Sequence, residues 1–240
     1  QAPRQMLAAG IIDLAREAFA QLLGDRRHGV EQAHDAPQVI ALLDEAQRAV
    51  LGRLEDLRRR VLARNTLLGR GLNLLPRAPQ PLRGLYLWGG VGRGKTFLID
   101  EFFAELPVRE KRREHFHRLM QDVHARLRRH RNLSDPLAQV AGDIAAKSRI
   151  LCIDEFVVGD VADAMILGRL FSRLLDLGVV VVATSNVAPR DLYRDGLNRA
   201  LFLPFIDMLE SHMDVQQLAA RTDFRLEKLA GQKVWHAPAD

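Results

Sequence analysis

The sequence predicts an α/β fold, a parallel sheet flanked by helices on both sides, with a glycine-rich loop after one of its strands. Three observations predict it. The short apolar run Leu85-Tyr86-Leu87-Trp88 leads straight into the glycine-rich stretch Gly89–Thr96, and a helical pattern follows from Lys95 to about Leu106, closed by Pro107. Ile150-Leu151-Cys152-Ile153 is an apolar strand that ends on two acids, Asp154 and Glu155. Val179–Ala183 is β-branched with no polar alternation, as a central parallel strand covered on both faces requires. Strands alternate with helical patterns between these points, which is the order of βαβ units in a parallel sheet.

The elements follow in chain order. Within residues 1–36, Ile11, Leu14, Ala15, Phe19, Leu22 and Leu23 fall at helical spacing, so one amphipathic helix is expected, stopped at Gly24-Asp25. From Pro37 a long helix is expected, with Val39, Leu43, Ala46, Val50, Leu54, Leu57 and Val61 on one face. Proline suits its first turn, where a backbone N–H has no helical partner to lose. The spacing is heptad-like, but at this length a core-facing helix is favoured over a coiled coil. Gly69, Gly71, Pro76, Pro79 and Pro81 mark residues 65–82 as a loop and a boundary. After the first strand, loop and helix, Arg112–His117 is expected as a strand and Leu119–Arg131 as a basic helix. Asp135-Pro136 turns the chain into a short helix, Leu137–Ala146. Val161–Leu177 is an amphipathic helix ended by Gly178. The expected organisation is a helical segment and linker at 1–82, a core at 83–212 and a C-terminal extension of that core at 213–240.

Composition narrows the class. With 240 residues the chain has ample material for a buried core, and its 27% of charged residues is that of an ordinary globular protein. No apolar run approaches the length of a membrane span, and the first residues lack a signal-peptide layout. The single cysteine, Cys152, excludes an intrachain disulfide framework and fits a reducing compartment; placed mid-strand, it reads as a buried structural residue. A net charge of +5 is mild for this length, so a solvated arginine-rich surface is favoured over a nucleic-acid footprint.

Gly89-Gly90-Val91-Gly92-Arg93-Gly94-Lys95-Thr96 satisfies G-x-x-x-x-G-K-[ST] in full. Glycines let the backbone curl until successive N–H groups point inward at phosphate oxygens. The helix that starts near Lys95 and runs on through Phe97 adds the positive end of its dipole. The loop is therefore expected to bind ATP, with Lys95 reaching the β- and γ-phosphates and the Thr96 hydroxyl ligating Mg²⁺. A chance match in a chain this long is roughly a one-in-a-hundred event, and the strand before and helix after reduce it further.

Asp154 and Glu155 supply the second half of the site. Ligands gather at the carboxyl ends of parallel strands, so both acids are expected beside the loop. Asp154 is expected to hold Mg²⁺ directly or through water, and Glu155 to act as general base on the attacking water. A pair of acids favours hydrolysis over a kinase or a simple GTP switch. At the tip of the third strand, Asn186 is the first choice and Thr184 the second for a polar group touching the γ-phosphate; Asn186 as a helix cap ahead of Pro189 is compatible with either. Arg199 has two readings, a surface salt bridge or an arginine supplied to a neighbour's γ-phosphate, and residue chemistry alone favours the salt bridge. His115 and His117, at i and i+2, would share a strand face, with His124 nearby; with one cysteine and no zinc spacing, structural histidines are favoured over a metal cluster. Arg126, Arg128, Arg129 and Arg131 lack interleaved aromatics, so a solvated helix face is favoured over nucleic-acid binding.

These residues resemble a known family. GLYLWGGVGRGKT at Gly84–Thr96, HFHRLMQDVH at His115–His124, DPLAQVA at Asp135–Ala141, LCIDEFVVGDVADAMILGRL at Leu151–Leu170, VVATSNVAPRDLYRDGLNRALFLPF at Val181–Phe205 and TDFRL at Thr222–Leu226 are similar to the ZapE family of AAA+ ATPases, bacterial cell-division-associated proteins with mitochondrial relatives. The resemblance implies a five-stranded parallel AAA+ sheet with an extra strand between those bearing the loop and the acids, a homo-oligomer with ATP between subunits, sensor-one duty for Asn186 and an arginine-finger role for Arg199. It also implies a cytoplasmic bacterial setting, or a mitochondrial one in a eukaryote, and a link to the tubulin-like division protein FtsZ. The family's C-terminal helical lid, with its sensor-two arginine, is expected to be absent or truncated here. The leading expectation is an ATPase that remodels a partner protein; the alternatives are a helicase-loader-like ATPase acting with nucleic acid, and a lidless nucleotide-binding fragment with little turnover.

Overall fold

The computed structural model describes residues 45–65 and 82–218. The helix expected near residues 11–23, the first turns of the long helix, most of the 65–82 loop and the TDFRL stretch lie outside them. Helix α1 spans Glu45–Asn65. Strand β1, Gly84–Trp88, is followed by α2, Lys95–Glu105. Strand β2 is Lys111–His115, and α3, Phe116–Arg129, starts on the next residue. Then come α4 at Pro136–Ala145, β3 at Ile150–Asp154, α5 at Val161–Asp176 and β4 at Val180–Ser185. Short 3-10 turns at Pro189–Asp191 and Arg199–Leu201 lead into α6, Leu203–His212, and β5, Met213–Gln217.

The five strands are all parallel in the order β2-β3-β4-β1-β5. The inserted strand is β4, which pairs with β1 on one side and β3 on the other. The loop after β1 and the acids after β3 are thus two strand spacings apart, about 10 Å.

Alternate residues of each central strand enter different cores. Tyr86, Leu151, Ile153, Val181 and Ala183 face α3, α4, α5 and α6, while Leu85, Leu87, Ile150, Cys152, Val180 and Val182 face α1 and α2. Two-sided burial explains the lack of polar alternation in β3 and β4. Helix α1 buries Val50, Leu54, Leu57 and Val61 in the second core, so the expected apolar stripe faces the sheet. Asp135 caps α4 by accepting from the Ala138 N–H, with Pro136 in the first turn, and Asp160 caps α5 through the Ala162 N–H. Gly178, at φ +81°, ends α5 in the left-handed region, as its sequence position predicts.

Two expectations are corrected. The second strand stops at His115 because Phe116 turns into the first core as the start of α3. His115 and His117 therefore do not share a strand face. The core also does not end at residue 212: Met213–Gln217 pairs with Gly84–Trp88 along its whole length. This strand offers little periodic signal, since only Met213 and Val215 in it are apolar. It is secured by Arg83, which bonds Asp214 at 2.9 Å and the carbonyls of Glu210, Ser211 and Met213.

Candidate nucleotide-binding site

The loop geometry comes from its glycines. Gly89, Gly92 and Gly94 all have positive φ, at 152°, 79° and 84°. A Cβ on Gly89 would lie 2.5 Å from the Leu218 carbonyl oxygen, so the loop and the residue after β5 approach through the missing side chain. The Gly89 N–H donates to the Ser185 carbonyl at 3.2 Å, tying the loop's first residue to the tip of β4. Val91 stands at the exposed crest. Thr96 is exposed in the first turn of α2. Phe97 packs its ring against the second core, so only its backbone faces the loop's concavity. The Leu98 N–H is bonded to the Gly94 carbonyl; the N–H groups of Lys95, Thr96 and Phe97 precede the first helical bonds and are left for an anion.

Lys95 is buried, and its ammonium donates to the carbonyls of Gly89 at 2.6 Å and Gly90 at 2.7 Å and to Asn186 Oδ1 at 3.1 Å. Burial, with the Arg93 charge adding to it, lowers its pKa. The structure brings Asn186 directly to the loop lysine; the turn after it has Ala188 at its N-cap position and no side-chain cap. Gln47 of α1 reaches the same loop, its amide 3.4 Å from the Arg93 carbonyl.

The acids join this cluster through Thr184. Its hydroxyl lies 3.4 Å from Asp154 Oδ1 and accepts from the Glu155 N–H at 3.2 Å. Glu155 has φ +54°, a conformation uncommon for a residue with a side chain. The next residues hold it there. The Phe156 N–H donates to the Thr184 carbonyl at 2.7 Å, and Ser185 Oγ donates to the Phe156 carbonyl at 2.7 Å. The Phe156 ring sits among Tyr86, Phe116, Phe171 and Phe205. Buried Asp154 is thus fixed, while the Glu155 carboxylate remains 76% exposed, 3.8 Å from the exposed imidazole of His115.

Arg113 of β2, which sequence reading did not single out, donates from Nε to Asp154 Oδ2 at 2.7 Å and pairs through Nη1 with Asp100 of α2. Burial opposes its charge, but the bonds to Asp154 and Asp100 outweigh that and raise its pKa. The one available signal was period two in Lys111-Arg112-Arg113-Glu114-His115, which puts Arg113 on the face shared with His115.

Arg199 folds back on its own chain, with Nη2 on the Arg190 carbonyl and Nε buried without a partner. His117 bonds Gln121, and His124 meets Asp163 at 2.7 Å, so the three histidines serve three different places. Among the described residues no group of three His, Cys, Asp or Glu side chains is placed to hold a metal, and no helix is long and apolar enough to cross a membrane. Buried Cys152 has its thiol pushed up to about 12, chiefly by desolvation, which makes it inert. Arg126 pairs with Asp122 across one turn of α3.

Loop, sheet order and acid pair together define a P-loop NTPase of the AAA+ type. Its fold is similar to that of AMPPCP-bound DnaA from Aquifex aeolicus, with a TM-score of 0.52 at 16% identity over 82% of this chain and 54% of that one. The profile of the AFG1-like ATPase family matches residues 30–240, and the chain belongs to that family. Among its relatives are the cell division protein ZapE of Escherichia coli (strain K12), 49% identical over 158 residues, and lactation elevated protein 1 homolog B of Danio rerio, 43% identical over 162 residues. These matches take in 66% and 63% of this chain but only 42% and 32% of the relatives, so the chain spans less than half the length of either.

Proposed function

We propose that the protein hydrolyses ATP with Mg²⁺ at this site and couples the reaction to remodelling a partner protein. One observation carries the reading: hydrogen bonds tie Lys95 to Asn186, just past β4, and tie Thr184, two residues earlier, to both acids. The amides of Gly90–Phe97 and the Lys95 ammonium hold the phosphates, with Gly89 anchoring the loop to β4. The donor set fits Mg²⁺, since Thr96 and Asp154 offer hard oxygens and this ion keeps its remaining positions for water and phosphate. Once bound, the metal neutralises charge on the phosphate oxygens. Glu155, exposed and backbone-fixed, takes a proton from water as the water oxygen attacks the γ-phosphorus and the bond to the β-phosphate oxygen breaks. Asn186 orients the Lys95 ammonium and the γ-phosphate together.

The name of the relative ZapE assigns that protein to cell division, which supports a cell-division role for this one; its bacterial cytoplasmic setting and FtsZ-type partner are part of the same proposal, drawn from the sequence resemblance. Helix α1 then braces the loop through Gln47, whose amide lies 3.4 Å from the Arg93 carbonyl. ATP sits between subunits of a homo-oligomer, where Arg199 leaves the Arg190 carbonyl that it bonds in the single chain and reaches a neighbour's γ-phosphate. ATPase rate against protein concentration tests this. Specific activity should rise with concentration, and Arg199→Ala should abolish the rise, by about 10³-fold or more at saturation. A specific activity independent of concentration in both proteins would rule out the shared site.

A further inference from the structure

Strand β2 has no apolar residue, being Lys-Arg-Arg-Glu-His, yet it lies beside the acid-bearing strand with Arg113 opposite Cys152 and His115 opposite Asp154. Its alternate residues do separate jobs on one face. Lys111 caps the end of α2 through the carbonyls of Ala104 at 3.2 Å and Leu106 at 2.8 Å. His115 stands beside Glu155. Arg113, between them, touches neither end of α2 but its middle, at Asp100, five residues after Lys95.

The Arg113 side chain is 16% exposed and that of Asp154 is 10% exposed, so this pair is largely out of water. A buried carboxylate needs a counter-charge and good hydrogen bonds. Arg113 supplies both to Asp154 Oδ2, and the Thr184 hydroxyl meets Oδ1 from the opposite side. The carboxylate plane is thereby set by groups from β2 and β4. An arginine fork can send two nitrogens to two acids at once; an ammonium is a single point charge and cannot reproduce that planar bridge. Asp154 is consequently tied to the loop helix as well as to the sheet.

We infer that Arg113 is a positioning residue for the metal: it fixes Asp154 in the orientation that receives Mg²⁺ and couples that orientation to the nucleotide loop through Asp100. The inference rests on the proposed metal role of Asp154. Groups that orient a metal ligand typically carry 10- to 100-fold of its affinity, so the effect belongs in Mg²⁺ dependence and not in the grip of the loop on phosphate.

The test is binding of a fluorescent N-methylanthraniloyl ATP to the full chain, first in EDTA and then across a Mg²⁺ series, with melting temperatures measured alongside. Arg113→Met and Arg113→Lys should bind as wild type does in EDTA, and Asp154→Asn serves as the reference for loss of the metal ligand itself. The Mg²⁺ midpoint should rise about 10- to 100-fold in Arg113→Met, and also in Arg113→Lys, which keeps a charge and so protects the test if the methionine variant does not fold. A midpoint raised in Asp154→Asn but unchanged in a well-folded Arg113→Lys overturns the positioning role while leaving the site reading intact. A midpoint unchanged in Asp154→Asn shows that the metal reading failed first, and the inference falls with it.

Discussion

Glu155→Gln should bind ATP as the wild type does and lose phosphate release by about 10²–10⁴-fold, the span that a positioned general base contributes. The substitution removes one thing. Glutamine has the same length and offers no carboxylate to accept a proton. The bonds that place residue 155 come from its backbone N–H to Thr184 and from Phe156 and Ser185 behind it, and none involves its carboxylate. The side chain is 76% exposed, so its replacement leaves no buried group without a partner and the melting temperature should not move. Binding by fluorescence or calorimetry and turnover by phosphate release separate the two steps. Turnover at the wild-type rate in Glu155→Gln would assign the base elsewhere, with His115 the next group in reach.

Phe156→Ala should be the most destabilising single change near the site. Its ring is fully buried and touches four other aromatic rings, from β1, α3, α5 and α6. Truncating a buried phenylalanine costs about 3–5 kcal/mol through lost transfer energy and the cavity left behind. For a domain of this size that is a fall of roughly 6–20 °C in melting temperature. A second effect follows from the first. A non-glycine residue at positive φ carries strain of order 1–3 kcal/mol, sustained only where its surroundings enforce it. Phe156 is the anchor that enforces it on Glu155, so the folded fraction of Phe156→Ala should also turn over more slowly, with nucleotide affinity less affected. Thermal melting followed by single-turnover kinetics below the new midpoint checks both. A shift under about 2 °C would mean the aromatic cluster is not the support described.

The parts of this site written in local pattern were legible in the sequence. The β1–loop–α2 unit announces itself because glycines, a lysine and an apolar strand must be contiguous to work. Asp154, Glu155 and Asn186 were legible because a parallel sheet presents the ends of its strands on one side. Strand β5 was not, because its conformation comes from pairing with β1 and from the Arg83 bonds, neither of which has a periodic trace. The start of α3 at Phe116 was missed for a related reason: charged β2 and amphipathic α3 abut with no breaker residue between them, and burial of Phe116 decides the boundary. Arg113 lies 41 residues from Asp154 and 13 from Asp100, and only the sheet order brings the three together.

Lys95 is where the loop, β4 and the proposed phosphates meet, so titrating ATP into wild type and Lys95→Ala by calorimetry reaches the central claim most directly. The account predicts saturable binding at one site per chain in the wild type and loss of about 10²-fold or more in affinity in the variant, for a buried charge-assisted contact worth some 3 kcal/mol. Equal affinity in the two proteins, with both folded, would contradict it.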